Sequence, residues 1–248
     1  MKTRVYAIGD VHGRLDLLER LYLDIARHSE SDAAERKVLV HLGDYIDRGP
    51  DSKGVIARIM AGMAGFQSIN LMGNHEELLL DYIDRRGEDS QWWITSGMGG
   101  AETLLSFGVD PDEEPRDPAE LERKIGPEMM RWLRGLKIFH REGGFMFVHA
   151  GLRPGVPIDQ QTREDMLWIR EAFTNSKANF GLRVVYGHSP SEDPVIKPHR
   201  IGIDTGAVWT GRLTAAVLDP EQPQDEPLMI MTDELKGQAA PASGLTRK

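Results

Sequence analysis

The sequence contains no cysteine. That excludes disulfide bonds and thiolate metal ligands, and leaves His, Asp, Asn and Glu as the side chains able to hold an ion. Basic residues are also in short supply, with a formal net charge of -9. This argues against a nucleic-acid partner, since a dedicated binder carries a basic face. It also means that any anionic substrate must be met by local positive charge, from metals or arginines. No apolar run is long enough to span a membrane. The N-terminal Met1-Lys2-Thr3-Arg4-Val5 leads straight into a strand without the apolar core of a signal peptide. The expected location is the cytoplasm. No internal repeat is visible.

What is present reads as an α/β protein. A chain of 248 residues can form one large domain or two small ones, and 40% hydrophobic with 28% charged residues is ordinary globular composition. Val38 to Leu42 is an apolar run that suits a buried parallel strand, and it ends at Gly43-Asp44-Tyr45-Ile46-Asp47-Arg48-Gly49. Val5 to Ile8 ends in the same manner at Gly9-Asp10-Val11-His12-Gly13, and Phe66 to Leu71 at Gly73-Asn74-His75-Glu76. Helical spacing follows each of them, over 15–28, 51–64 and 76–83, with Asp51-Ser52 a suitable cap for the second. Strand, motif, helix, three times over, is the α/β signature.

The later chain is read as follows. Residues 88–126 form a cap inserted in the domain, with short helices at 101–106 and 118–124, because they hold too few apolar residues for a core of their own. A helix after Pro127 leads to antiparallel strands at 136–141 and 145–149, the second closed by His149-Ala150-Gly151. One helix is expected over 163–173, then a strand at 183–186 closed by Gly187-His188, and strands at 200–203, 213–218 and 228–231. The domain is expected to span 1–236, and 237–248, rich in Gly, Ala, Ser and Pro, reads as a disordered tail. Helices early and strands late suggest two sheets packed as a sandwich, with helices outside: α/β/β/α.

Asp10, His12, Asp44, Asn74, His75, His149 and His188 all follow strand ends, where open α/β sheets gather ligands. Imidazole mixed with oxygen donors suits Mn, Fe, Zn or Co better than Ca or Mg. There are too many donors for one tetrahedral ion, whereas two ions sharing Asp44 would use them. Each stretch alone has an ordinary alternative, such as a turn, a helix cap or a core histidine. Their joint occurrence in order does not. His28, His41, His140 and His199 are left as surface or packing residues.

These stretches resemble the core motifs of the phosphoprotein phosphatase family, within the calcineurin-like metallophosphoesterases. The likeness covers about Val5 to Leu218. It implies a two-metal phosphoric ester hydrolase, with Mn, or Mn with Fe, as the expected ions and Zn possible. Carried over by position, Asp10, His12 and Asp44 would hold one ion, and Asp44, Asn74, His149 and His188 the other. An activated hydroxide would attack phosphorus in line. His75 would be the general acid, oriented by Asp47, and Arg48 and Asn74 would contact the phosphate. Arg170 resembles the second phosphate-binding arginine, with Arg163 and Arg183 as alternatives.

The compact end, Ile203-Asp204-Thr205-Gly206-Ala207, resembles the bacterial members, which divide into serine/threonine phosphatases and symmetrical diadenosine tetraphosphatases. The retained Asp47 points to the phosphatase branch, acting on a phosphoprotein or small phosphoester. The tetraphosphatase is the alternative. A catalytically silent phosphate-binding module is disfavoured because no proposed ligand is substituted. Trp92, Trp93 and the loop 97–100 could form a substrate wall, although core packing suits the tryptophans better.

Overall fold

The computed structural model describes residues 2–85, 91–95, 97–113 and 117–234. The proposed tail and part of the proposed cap lie outside these. The first half alternates as expected: β1 (Thr3–Ile8), α1 (Leu15–Ser31), β2 (Arg36–His41), α2 (Ser52–Ala61), β3 (Phe66–Asn70) and α3 (Asn74–Asp84). Four short helices follow, α4 (Gln91–Thr95), α5 (Gly100–Ser106), α6 (Pro118–Ile125) and α7 (Pro127–Arg134). The remainder is β4 (Phe139–Glu142), β5 (Phe145–Val148), α8 (Arg163–Trp168), α9 (Glu171–Thr174), β6 (Arg183–Tyr186), β7 (Val195–Lys197), β8 (Arg200–Gly202), α10 (Ala207–Thr210), β9 (Arg212–Leu218) and β10 (Leu228–Asp233).

The strands form two mixed sheets, in the orders β10-β9-β1-β2-β3 and β4-β5-β6-β8-β7. Within them β1, β2 and β3 run parallel, and so do β5, β6 and β8. The period-2 alternation of a strand divides the core into layers. Val5, Ala7, Val38 and Val40 of the first sheet face Phe145, Phe147, Val185 and Ile201 of the second. Tyr6, Ile8 and Leu39 point the other way, into the helices, where they meet Leu17, Leu21 and Ile25 of α1 and Val55 and Ile59 of α2. Met146, Val148 and Val184 pack outward against Met166 and Phe173. Both faces of each sheet are therefore covered, which explains why these strands read as continuous apolar runs. The architecture is the expected α/β/β/α sandwich.

Two expectations change in detail, and the structure adds features that were not read. The helix read over 163–173 is two, α8 and α9, broken at Ile169 and Arg170, where Ile169 is extended. The strand placed at 136–141 begins only at Phe139; before it, Leu71 and Lys137 form an isolated bridge. Strand β7, helix α4 and helix α10 carry too little periodicity to be read. Trp93, Leu104, Leu121 and Ile125, from the stretch read as a cap, are buried in the same apolar cluster as α1 and α2. His41, outside the motifs, is fully buried between the Tyr22 hydroxyl at 2.7 Å and Asn70 Oδ1 at 2.9 Å. No helix among the described residues is long and apolar enough to cross a membrane.

Candidate active site

The sandwich brings the carboxyl ends of both parallel triplets to one edge. Asp10 and His12 follow β1, Asp44 follows β2, Asn74 opens α3 after β3, and His149 and His188 follow β5 and β6. All six are buried. Five non-glycine residues among those described have left-handed backbone: His12, Asp44, Asp47, Arg48 and His188. Every one is a site candidate. Such conformations are costly, and they persist where surrounding structure holds a side chain in place for function.

The loops after β2 and β3 pass backbone against backbone. A Cβ on Gly73 would lie 2.1 Å from Asp44 Oδ1, and one on Gly43 2.5 Å from the Gly73 nitrogen. Glu76 ties the two loops together. Its carboxylate accepts from the N–H groups of Gly73, Asp44 and Tyr45 at 2.8–2.9 Å, and it is completely buried. Gly73 to Glu76 thus caps α3 and ties the loop after β2 to it. Glu76→Gln replaces one acceptor oxygen with an NH2 group that can only donate, setting it against buried N–H groups that lose their partner. It should destabilise the protein by about 3 kcal/mol. A urea titration giving less than about 1 kcal/mol would show that the carboxylate is not the tie.

The donor set tests whether the site suits a metal. His149 Nδ1 lies 2.9 Å from the Leu42 carbonyl and must donate to it. Its Nε2 then presents a lone pair, yet it sits 2.9 Å from Asn74 Oδ1 and 3.3 Å from Asp44 Oδ1. His188 Nδ1 reaches the same Asn74 oxygen at 2.8 Å. Acceptors crowded in this way need a cation or an extra proton among them. His12 is set likewise, its Nδ1 donating to the Ile46 carbonyl at 2.8 Å and its Nε2 turned inward, 3.5 Å from Asp44 Oδ2. Among the described residues, two groups have ligand atoms within 4.8 Å of one another: His12 with Asp44 and His75, and Asp44 with His149 and His188. Asp44 belongs to both. Asp10 belongs to neither. Its Oδ2 accepts from the His188 N–H at 2.9 Å, and its Oδ1 is buried with no partner. The residues present suit two metal ions.

Burial, with Asp204 and Asp44 close by, raises the Asp10 pKa well above the usual carboxylate range. Asp204 follows β8 and was missed in the sequence, although Ile201 to Asp204 repeats the pattern of an apolar strand closed by a carboxylate. Burial, opposed by the Gly206 N–H that Asp204 Oδ1 accepts, pushes it up to about 6. Three buried carboxylates at one point are a further demand for positive charge.

His75 Nδ1 is 2.6 Å from Asp47 Oδ2, and its Nε2 lies 3.8 Å from Asp44 Oδ2. Burial opposes protonation of this imidazole, but Asp44 and Asp47 outweigh it and raise the pKa. Asp47 is itself clamped: Trp93 Nε1 donates to Oδ2 at 2.6 Å and the Thr103 hydroxyl to Oδ1. Trp93 is therefore no substrate wall. It is a buried hydrogen-bond donor, a role that no local pattern in the sequence carries. Trp92, beside it, is 43% exposed.

Arg48 is half-buried and its Nη1 donates to His12 Nε2 at 2.6 Å. Arg170 is exposed at the break between α8 and α9, and its Nη1 donates to the His188 carbonyl at 3.2 Å, at the rim of the site. Arg163 pairs with Glu77 at 2.7 Å. Arg183 is buried at the opposite end of β6, bonded to the Lys197, Pro223 and Asp225 carbonyls, and serves the fold.

The sequence pattern of the calcineurin-like phosphoesterases matches residues 3–211. This chain belongs to that family. That is a family of metallophosphoesterase hydrolases, and the His and Asp groups of this chain suit metal binding. Serine/threonine-protein phosphatase 1 of Salmonella typhimurium is 28% identical over 217 residues, covering 86% of this chain and 90% of the relative. The symmetrical bis(5'-nucleosyl)-tetraphosphatase of Nitrosospira multiformis is 28% identical over 186 residues, covering 75% of this chain and 57% of the relative. That of Acidovorax is 30% identical, and this chain spans 64% of its length. A solved structure described as a putative diadenosine tetraphosphatase superposes with a TM-score of 0.63 at 24% identity, covering 93% of this chain and 94% of that one. It supports the fold.

Proposed function

We propose that this phosphoesterase is a phosphatase for phosphomonoesters of alcohols, with phosphoserine and phosphothreonine as its substrates. The observation that carries this reading is the His75–Asp47 pair, fully buried and held by Trp93 and Thr103. The clamped carboxylate accepts the Nδ1 proton and favours the imidazolium, whose Nε2–H then faces the site as the acid. That device matters most when the leaving group is a poor one, such as an alkoxide. Asp10, His12 and Asp44 would hold one ion, and Asp44, Asn74, His149 and His188 a second; Mn, or Mn with Fe, suits such ligands. When bound, the ions would supply the nucleophile and offset charge on the phosphoryl oxygens. Arg48, Arg170 and Asn74 orient the phosphate, and His75 protonates the leaving oxygen. We place the enzyme in the cytoplasm, without a nucleic-acid partner.

A second reading, cleavage of dinucleoside polyphosphates, is favoured by the names of the relatives, most of which are symmetrical tetraphosphatases. The test is a panel of Mn-reconstituted enzyme on phosphopeptides and diadenosine tetraphosphate. We expect the higher kcat/KM on a phosphoserine or phosphothreonine peptide, and Asp47→Ala should narrow the gap by slowing the peptide more. A wild-type preference for the dinucleotide would transfer the conclusion to the second reading.

A further inference from the structure

One large aromatic side chain stands at the mouth of the site with no part in the chemistry above. Trp209 is 63% exposed, the most exposed large hydrophobic residue among those described. It lies on the single turn of α10, between Gly206 and Gly211, both left-handed. The turn is fixed to its surroundings: Arg14 Nη1 donates to the Ala207 carbonyl at 3.1 Å, and the Thr210 hydroxyl donates to the Thr205 carbonyl at 2.8 Å. The indole is therefore anchored at its base while its ring stays open to solvent. The Arg48 guanidinium lies over that ring, 5.1 Å from the centroid, and its Nη1 touches His12 Nε2. Arg48 thus bridges the proposed metal centre and an exposed indole.

We propose that Trp209 is a stacking platform that lets the site take a further class of substrate beside the alkyl phosphomonoesters, phosphates that carry a flat ring, a nucleobase or an aryl group. The proposal rests on the reading of Arg48 as a phosphate ligand. A phosphate on Arg48 places whatever it carries beside the indole. An exposed Trp offers such a ring large contact area at low conformational cost, and stacking is tolerant of the ring's identity because every base has a π-face. An aliphatic ester has nothing to lay against it. Trp209 would therefore act on binding of ring-bearing substrates, and hence on KM, leaving the proton transfer by His75 alone.

The test compares ligands that differ only in the ring. Adenosine 5'-monophosphate is set against ribose 5-phosphate, and an aryl phosphate against an alkyl phosphate, on wild type, Trp209→Ala and Trp209→Phe with Mn. Trp209→Ala should weaken adenosine monophosphate and the aryl phosphate about ten-fold, shift the ring-free partners less than two-fold, and leave kcat nearly unchanged. Trp209→Phe should keep most of the affinity. A loss confined to the nucleotide identifies a base platform, and one confined to the aryl ester a leaving-group platform. Equal losses with and without a ring would reduce Trp209 to a support for Arg48 and overturn the proposal, as would no loss at all. Quenching of tryptophan fluorescence by adenosine monophosphate, present in wild type and reduced in Trp209→Phe, is read without turnover. A protein that hydrolyses no phosphoester but still shows this quenching would retain the platform and lose the proposed function.

Discussion

Asp44→Asn is expected to lower turnover about 10³-fold, the equivalent of roughly 4 kcal/mol in the barrier. Asp44 is the one residue shared by both potential metal groups, with Oδ2 toward His12 and His75 and Oδ1 toward His149. Replacing one oxygen by an amide removes a ligand atom from one group and the negative charge from both. Metal titration by calorimetry should show weaker binding and the loss of at least one site. The fold should survive. Asn can still accept the His75 N–H at the start of α3, a contact Asp44 Oδ1 makes at 3.1 Å. Circular dichroism matching wild type with activity gone is the expected pair of results. Full activity in metal-stripped Asp44→Asn protein would end the two-metal reading.

Removal of His75 should have an effect that depends on what is leaving. His75→Asn should slow alkyl phosphates by about 10² to 10⁴, the range that general acid catalysis contributes. Aryl phosphates with acidic phenols need little help and should slow less than about ten-fold. Trp93→Phe and Thr103→Val should show the same bias more weakly, because each removes one donor that holds the Asp47 carboxylate against His75. Equal losses on both ester types would assign His75 a structural role. The raised pKa of His75 also predicts a direction for the pH profile. The acid stays protonated to higher pH than a free imidazole, so alkyl ester turnover should persist above the usual histidine range. It should fall there in Asp47→Ala.

Within the parallel stretches the sequence was sufficient for the elements and for the candidate residues that gather at their ends. Val5 to Ile8 and Val38 to His41 are buried on both faces, so their apolar runs were unambiguous, and each ended where a Gly-Asp pair stopped pairing and turned to the sheet rim. His149 and His188 were legible for the same reason, since β5 and β6 are built on the same rule. Asp204 obeyed that rule and could have been found by it.

Other features depended on contacts far along the chain. The clamp on Asp47 comes from Trp93 and Thr103, 46 and 56 residues away, on helices that only packing against α2 and α3 brings near. Arg183 is an arginine on a strand like any other until β6 is placed, with its start opposite the site; the structure then gives it three carbonyls to hold. Trp209 sits on one turn of helix too short to show a period, and its exposure follows from where α10 leaves the second sheet. Local chemistry determined which side chains stand at strand ends, because burial on both faces and a glycine turn are properties of neighbouring residues. Which of those side chains face one another, and which aromatic ring stands open beside them, was decided by the packing of two sheets face to face, and no short segment contains that information.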